Sequence, residues 1–158
     1  MNEPSKAESA RVYAIDEAER EAQALSSQVL DAIALKGKTS DLPPSVSRCD
    51  EDPDHLYKVR HPWSLWDVPE ADMEKSMEQL KEALSKRGWE VVEYGRGKSS
   101  AGYLELTANS AKAQFSVNVT FMDKRKVDAK SNKFRNPSGI VVDLVSACFR
   151  VPDGKTVD

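Results

Sequence analysis

Two stretches in the second half of the chain carry its most regular alternation of hydrophobic and polar residues. Residues 113–122 alternate strictly, which predicts a strand with one buried face and one solvent face. Its apolar positions are Phe115, Val117, Val119 and Phe121. Residues 139–152 are apolar on both faces, so we expect a second strand that is covered on both sides. The two strands should be neighbours at the centre of one sheet.

Shorter segments extend this sheet. Residues 89–94 and 103–108 precede the 113–122 strand with short polar links between them, so the three strands predict a meander. Residues 56–61 predict a short edge strand, because Pro62 follows and proline is tolerated at sheet edges. The pattern therefore predicts an antiparallel sheet of four to five strands.

Two segments have the spacing of amphipathic helices. Residues 5–35 carry one apolar stripe, rich in alanine in its first half, and Gly37 follows as a stop signal. We expect the second half of this long N-terminal helix to pack on the domain and the first half to extend or to pack loosely. Residues 67–87 predict a second helix, with Asp67 as its N-cap and Gly88 as its end.

Helices that are segregated from a run of strands are typical of an α+β domain, whose antiparallel sheet is covered by an amphipathic helix. The length of 158 residues fits one domain with an appendage. We expect an N-terminal helix or spacer over residues 1–37, packed on the domain or leading to it. Residues 38–152 should form the domain, and residues 153–158 a mobile tail.

Charge and hydropathy exclude some classes of function. The chain has 23 Lys and Arg against 26 Asp and Glu, and a net charge of −3 argues against a protein built mainly to hold nucleic acid. Apolar runs stay far below the ~20 residues of a membrane span. The first residues lack the pattern of a signal peptide, so any membrane anchor would be N-terminal and absent from this chain.

The two cysteines, Cys49 and Cys148, have neither a CxxC motif nor a histidine at metal-binding spacing. They could form a disulfide, remain two unrelated buried thiols, or belong to a reactive site. We favour the disulfide, because Cys49 lies in a polar segment where an inert buried thiol is unfavourable. A stable disulfide would indicate an oxidising compartment outside the cytoplasm.

Sequence signatures of catalysis and of cofactor binding are absent. The glycines of residues 95–100 lack the spacing of a phosphate-binding loop, and a strand follows them instead of a helix. No nucleophile motif accompanies the two histidines, His55 and His61. We therefore predict no enzyme activity, no cofactor and no metal site.

A basic segment before the last predicted strand is one candidate for partner binding. It could attract a protein or an anionic envelope component, and the alternative is a solvated loop without a partner. A nucleic-acid partner is disfavoured, because only Phe134 offers a stacking surface. Its cations are Lys124, Arg125, Lys126, Lys130, Lys133 and Arg135. The second candidate is the solvent face of the 113–122 strand, with Gln114, Ser116, Asn118 and Thr120.

Several local features occur together over residues 49–152. They are His61-Pro62-Trp63, the helix that leads to Gly88-Trp89, the sheet, and the final run from Ser146 to Pro152. In these features the chain resembles the mature part of small actinobacterial envelope lipoproteins of unassigned function. The resemblance implies a lipid-anchored, extracytoplasmic domain with a Cys49–Cys148 bridge and no assigned catalytic residues. The chain departs from that pattern in lacking a signal peptide and a lipidated cysteine.

These observations predict a non-enzymatic, extracytoplasmic binding module, lipoprotein-like and monomeric, for a protein or polymer partner. Two other classes stay open. One is a toxin-neutralising or inhibitor protein that blocks an enzyme by surface complementarity. The other is an enzyme whose site the sequence does not reveal, since fold class alone does not decide function.

Overall fold

The computed structural model describes residues 10–98, 102–126 and 137–158. Within these ranges the chain is an α+β domain with an open antiparallel sheet. The helices are α1 (Ile15–Ile33) and α2 (Glu70–Lys86). The strands are β1 (Lys38–Thr39), β2 (Ser45–Arg48), β3 (Leu56–Trp66), β4 (Glu90–Arg96), β5 (Leu104–Ser110), β6 (Phe115–Met122), β7 (Gly139–Ser146) and β8 (Phe149–Arg150).

The sheet has eight strands, more than the four to five predicted, because the long strand β3 pairs with several short ones. The main order is β1-β3-β7-β6-β5-β4. Along one side β3 pairs with β2 and then with β1, and along the other with β8 and then with β7. The two short N-terminal strands and β8 each have two to four residues, too few to show a period of two.

The prediction of a short edge strand over residues 56–61 is wrong, because β3 continues through Pro62 to Trp66 inside the sheet. On the β1 side, the Ser64 carbonyl accepts from the Ser40 backbone N–H at 3.0 Å, and the Ser64 N–H donates to the Ser40 hydroxyl at 2.9 Å. The backbone of Pro62 points the same way, because it lies two residues earlier. Its missing N–H therefore falls in the gap between β1 and β2, where no ladder bond is lost.

The two central strands are neighbours, as the two apolar patterns predict. β6 and β7 pair in continuous register from Phe115 opposite Ser146 to Met122 opposite Gly139. The expected cover on both faces is found on one face only. Val141 and Val145 are half-buried on the other face, and no element of the described ranges packs over them.

Both helices pack on the same face of the sheet. α2 lies against β4 to β7, and α1 lies against β3, β7 and α2. The Ser76 hydroxyl joins the helices by donating to the carbonyl of Ile33 at 2.5 Å. The helix residues with no exposed surface are Ala18, Ala22, Val29, Met73, Met77, Leu80 and Leu84. Neither helix has the length and apolar character needed to span a bilayer.

Helix α1 differs from its prediction in extent and in packing. It begins at Ile15, where the sequence pattern suggested residue 5, and its alanine-rich first half is fully buried at Ala18 and Ala22. The expectation that this half extends or packs loosely is therefore wrong for the described residues. Small side chains allow a close approach between packed elements, so alanine here marks a tight contact.

Residues 10–14 are extended and attach the start of α1 to the sheet. Arg150 in β8 donates its backbone N–H to Arg11 and accepts from Tyr13, both at 2.8 Å. The Tyr13 ring lies edge-on to Phe149 at 5.4 Å, and its hydroxyl donates to Glu21 in α1. The Tyr57 hydroxyl donates to the Tyr13 carbonyl at 2.6 Å. The first turn of α1 is thus fixed to β8 by both backbone and side chains.

The helix ends follow the sequence signals in part. Gly88, with φ of 88°, ends α2 as predicted. Asp67 is not the N-cap, because Pro69 occupies that position and no side chain caps the helix. α1 ends at Ala34, which takes the left-handed conformation (φ 58°, ψ 36°) three residues before Gly37. Gly37 is needed for another reason, since a Cβ there would lie 2.4 Å from the carbonyl oxygen of Trp66.

The end of the chain also packs on the domain, where we expected a mobile tail. Val157 is buried at 3% exposure, and its N–H donates to the carbonyl of Asp54 at 2.8 Å. The last residues therefore cover the turn that follows Cys49.

Replacing Ala34 by glycine should raise the free energy of unfolding by about 1 kcal/mol, because the left-handed conformation is strained for alanine and not for glycine. The matched control is Ala24→Gly in the exposed middle of α1, which should lower it by roughly 1 kcal/mol. Urea unfolding of both variants measures this. Equal losses from the two substitutions would contradict the assigned end of the helix.

Stability should fall as the pH rises above 10. Burial, with the hydrogen bond to Glu21, raises the pKa of Tyr13 from 10.0 to about 12, and burial also raises the pKa of Tyr57. Because the unfolded state ionises first, the stabilisation is complete below pH 10 and is lost as the pH approaches 12. Urea midpoints from about pH 9 to 12 should fall less steeply for Tyr13→Phe than for the parent chain. Parallel slopes would contradict this.

Candidate functional site: the open face of the sheet

A disulfide joins Cys49, just after β2, to Cys148, between β7 and β8, with their Cα atoms 6.3 Å apart. It confirms the favoured alternative for the two cysteines and excludes two separate thiols. The bridge closes a loop with a sequence separation of 99 residues. A loop of that length stabilises the fold by at most about 4–5 kcal/mol in the chain-entropy model.

The bridge lies at a bulge, residues 146–148, that separates β7 from β8. Pairing with β3 stops at Val145 opposite Arg60 and resumes at Phe149 opposite Tyr57, so three residues face two. Ser146 replaces the missing ladder bond, because its hydroxyl oxygen accepts from the backbone N–H of Val59 at 2.9 Å. The disulfide therefore holds the sheet where its regular pairing is interrupted.

A cleft of about 500 Å³ opens beside this bridge. Charged side chains of both signs and two serines of β2 line it, and Arg48 forms an ion pair with Asp54 at 3.3 Å. The main lining residues are Ser45, Ser47, Arg48, Glu51, Lys58 and Arg60. A site with charges of both signs and exposed serines suits hydrogen bonding to a partner more than the capture of a simple ion.

The open face is the side of the sheet opposite the helices, and its β5–β6 half is polar. Neighbouring strands are joined there by side-chain hydrogen bonds. Asn118 donates to Thr107 at 3.0 Å and Ser116 donates to Asn109 at 2.6 Å, both from β6 to β5, and Thr120 donates to Asn118 at 2.9 Å within β6. These contacts hold the side chains in fixed positions before any partner arrives.

The β3–β7 half of the open face is more apolar. Val141 and Val145 are half-buried, Trp66 is half-buried at one end, and Pro62 is exposed. Between the two halves, Asp143 lies opposite Asn118 and faces Arg60, whose guanidinium is 3.5 Å from the carboxylate. The open face thus offers an apolar strip beside a hydrogen-bonding strip, with charges of both signs.

The solvent-facing residues predicted for the 113–122 strand are found on this face, with one exception. Ser116, Asn118 and Thr120 alternate on β6 as expected. Gln114 precedes the strand with φ of 61°, and its carbonyl accepts from the N–H of Ala147 in the bulge. The partners on β5 were missed as site residues, because only the strand register shows that Thr107 and Asn109 lie beside them.

The basic segment begins as a 3₁₀ turn, Lys124–Lys126, next to the start of α2. Arg125 donates to Asp123 at 2.9 Å and to Glu74 at 3.4 Å, and the bond to Asp123 raises its pKa. Lys124 donates to the Tyr103 hydroxyl at 3.1 Å. Lys130, Lys133 and Arg135 lie outside the described residues. Lys124 and Arg125 are therefore both engaged within the fold.

His61 forms contacts that support the structure. Its Nδ1 is hydrogen-bonded to the Ser26 hydroxyl at 2.7 Å, and its Nε2 donates to the Leu42 carbonyl at 2.8 Å. Ser26 is 6% exposed on α1, so its hydroxyl is not accessible as a nucleophile. Among the described residues, one group has metal-ligand spacing, Cys49, Glu51 and Cys148, and its two sulfurs are bonded to each other.

Comparisons of the chain with protein-family models, with curated proteins and with solved structures return no match.

Removing the Arg125 guanidinium should destabilise the fold. Arg125→Gln takes a donor from Asp123, which is 9% exposed, and removes the contact between the turn and Glu74 of α2. Its melting temperature should fall more than that of Lys75→Gln, which changes an exposed lysine on the same helix. Equal melting temperatures would show that Arg125 is available to a partner instead.

Proposed function

We propose that this chain is a non-enzymatic, extracytoplasmic domain of a lipoprotein-like envelope protein, and that it binds a protein or polymer partner on its open face. The observation that supports this most is the pair of hydrogen bonds between β5 and β6, from Asn118 to Thr107 and from Ser116 to Asn109, which order polar side chains on an uncovered surface. Side chains that are fixed in advance lose less entropy when a partner binds, so this surface suits recognition.

The composition of the open face favours a partner that is neither purely charged nor purely apolar. Val141 and Val145 offer apolar area, while Ser116, Asn118 and Thr107 offer donors and acceptors at the spacing of neighbouring strands. Polypeptides and hydroxyl-rich polymers both carry polar and apolar groups in alternation, so either could contact the two strips of this surface. The Arg60–Asp143 pair adds orientation more than affinity, because exposed ion pairs contribute little.

The open face is a better candidate than the basic segment. Arg125 already has carboxylate partners, and Lys124 already has Tyr103 as a partner. A partner of the segment would have to replace these contacts, whereas the hydroxyl and amide groups of the open face have further lone pairs and protons to offer.

The disulfide supports the extracytoplasmic part of the proposal. Stable bridges form in oxidising compartments and are rare in the cytosol.

Site-specific photo-crosslinking tests the binding surface. A photoreactive phenylalanine derivative at the exposed position Ser116 should give a discrete adduct in the native cell envelope. The same group at Gln23, exposed on α1 at the opposite side of the domain, is the matched control and should give none. Adducts at Gln23 alone, or at neither position, would refute binding through the open face.

A further inference from the structure

The strand register arranges the side chains of the open face in rows that cross the sheet. One row runs from Arg60 in β3 through Val145, Ser116 and Asn109 to Glu90 in β4. Residues directly opposite each other on neighbouring strands point to the same face, so all five side chains share this surface. The row therefore begins with a cation at β3 and ends with a carboxylate at β4.

The residues beside this row show the same separation of charge. Lys58 precedes Arg60 by two positions in β3, so it points to the same face. On the other side, Glu93 in β4 and Glu105 in β5 pair with threonines of the open face. We call Lys58 and Arg60 the cationic side, and Glu90, Glu93 and Glu105 the acidic side.

Most of these charges are not neutralised within the fold. In the part of the chain that the structure describes, Lys58 and the carboxylates of the acidic side form no ion pair. Glu105 accepts a hydrogen bond from the Thr120 hydroxyl at 3.2 Å, which leaves its charge in place. Arg60 contacts Asp143, but their side chains are 59% and 40% exposed, so this weak pair stays accessible to a partner.

The two sides are too far apart to neutralise each other. β3 is separated from β5 by three strand spacings and from β4 by four, which amounts to roughly 14–19 Å. Salt screens charges over ~8 Å at physiological ionic strength, so each side acts on a partner separately.

The surface between the two sides is suited to a close contact. Val141 and Val145 are half-buried there, and Ser116, Asn118 and Thr120 supply hydrogen-bonding groups. The one charge in this central area, Asp143, is next to Arg60. Protein–protein interfaces have this arrangement, because charged residues are depleted at their centre and occur at the rim.

We propose that the partner of the open face is a protein whose contact surface carries acidic side chains over the cationic side and basic side chains over the acidic side. This inference rests on the proposed function and selects one of its two partner classes. A polymer with a repeating charge brings the same sign over both sides and is repelled at one of them, and an uncharged polymer gains nothing from either. Complementary charges also fix the direction in which the partner lies.

Two synthetic peptides of equal composition test the separation of charge. The block peptide has a run of glutamates, a glycine–serine spacer of about five residues and a run of lysines, since an extended residue spans about 3.3 Å. The control peptide has its glutamates and lysines in alternation. Titration of the full chain at about 0.1 M salt, followed by the amide resonances of β6, should show the block peptide binding about fivefold more tightly.

Reversing one charge on either side should weaken binding of the block peptide. Lys58→Glu and Glu93→Lys should each weaken it by about threefold, because each replaces an attraction by a repulsion. Lys75→Glu and Asp31→Lys are the matched controls, with the same changes of charge at exposed helix positions, and should have no effect on a peptide of zero net charge. Equal affinities of the two peptides, or a response at one side only, would overturn the proposal.

The photo-crosslink at Ser116 identifies the class of the native partner. Mass spectrometry of the digested adduct should show a peptide of another protein, and both Lys58→Glu and Glu93→Lys should lower the adduct yield. A sugar at the crosslink, or a peptide of this chain from a second copy, would overturn the proposal. Absence of any adduct refutes the proposed function instead, and the peptide titration still decides whether the two charged sides act together, so the two failures are distinguishable.

Discussion

The bridge between Cys49 and Cys148 fixes the end of the sheet on which the rest of the arrangement depends. It ties the turn after β2 to the bulge that separates β7 from β8. Beyond the bulge, β8 supplies the backbone to which residues 10–14 attach, and the Phe149 ring that packs against Tyr13. Through these contacts the disulfide, which lies at one end of the sheet, determines where α1 begins. The cleft beside the bridge and the edge of the open face are shaped by the same link.

The sequence predicts those parts of the fold whose signal is local. Strict alternation is sufficient for β6, because one face of that strand is buried and the other is not, and the apolar run of residues 139–152 predicts its neighbour β7. The length of β3 could not be predicted, since Pro62 is tolerated only because the neighbouring strands leave a gap there. The packing of Ala18 and Ala22 was missed for a similar reason. Alanine gives a weak hydrophobic signal, and only the tertiary structure shows how closely its helix approaches the sheet.

The candidate site shows the same division between local and distant information. Alternation along one strand places Ser116 and Asn118 on the solvent side, but their partners on β5 depend on register, which turn and packing geometry determine. The charge of Arg125 is visible in the sequence, whereas its partner Glu74 is 51 positions away. A run of cations therefore suggests a binding loop until the carboxylates of a distant helix are placed beside it.

The oxidation state of the two cysteines in the native cell is the measurement that tests the extracytoplasmic assignment most directly. Cells are quenched in acid, and the protein is treated with a maleimide of high mass before and after reduction. We expect no mass shift before reduction and a shift of two maleimide groups after it. Labelling of both cysteines in the unreduced sample would show that the bridge does not form in the cell, and the envelope assignment would have to be abandoned.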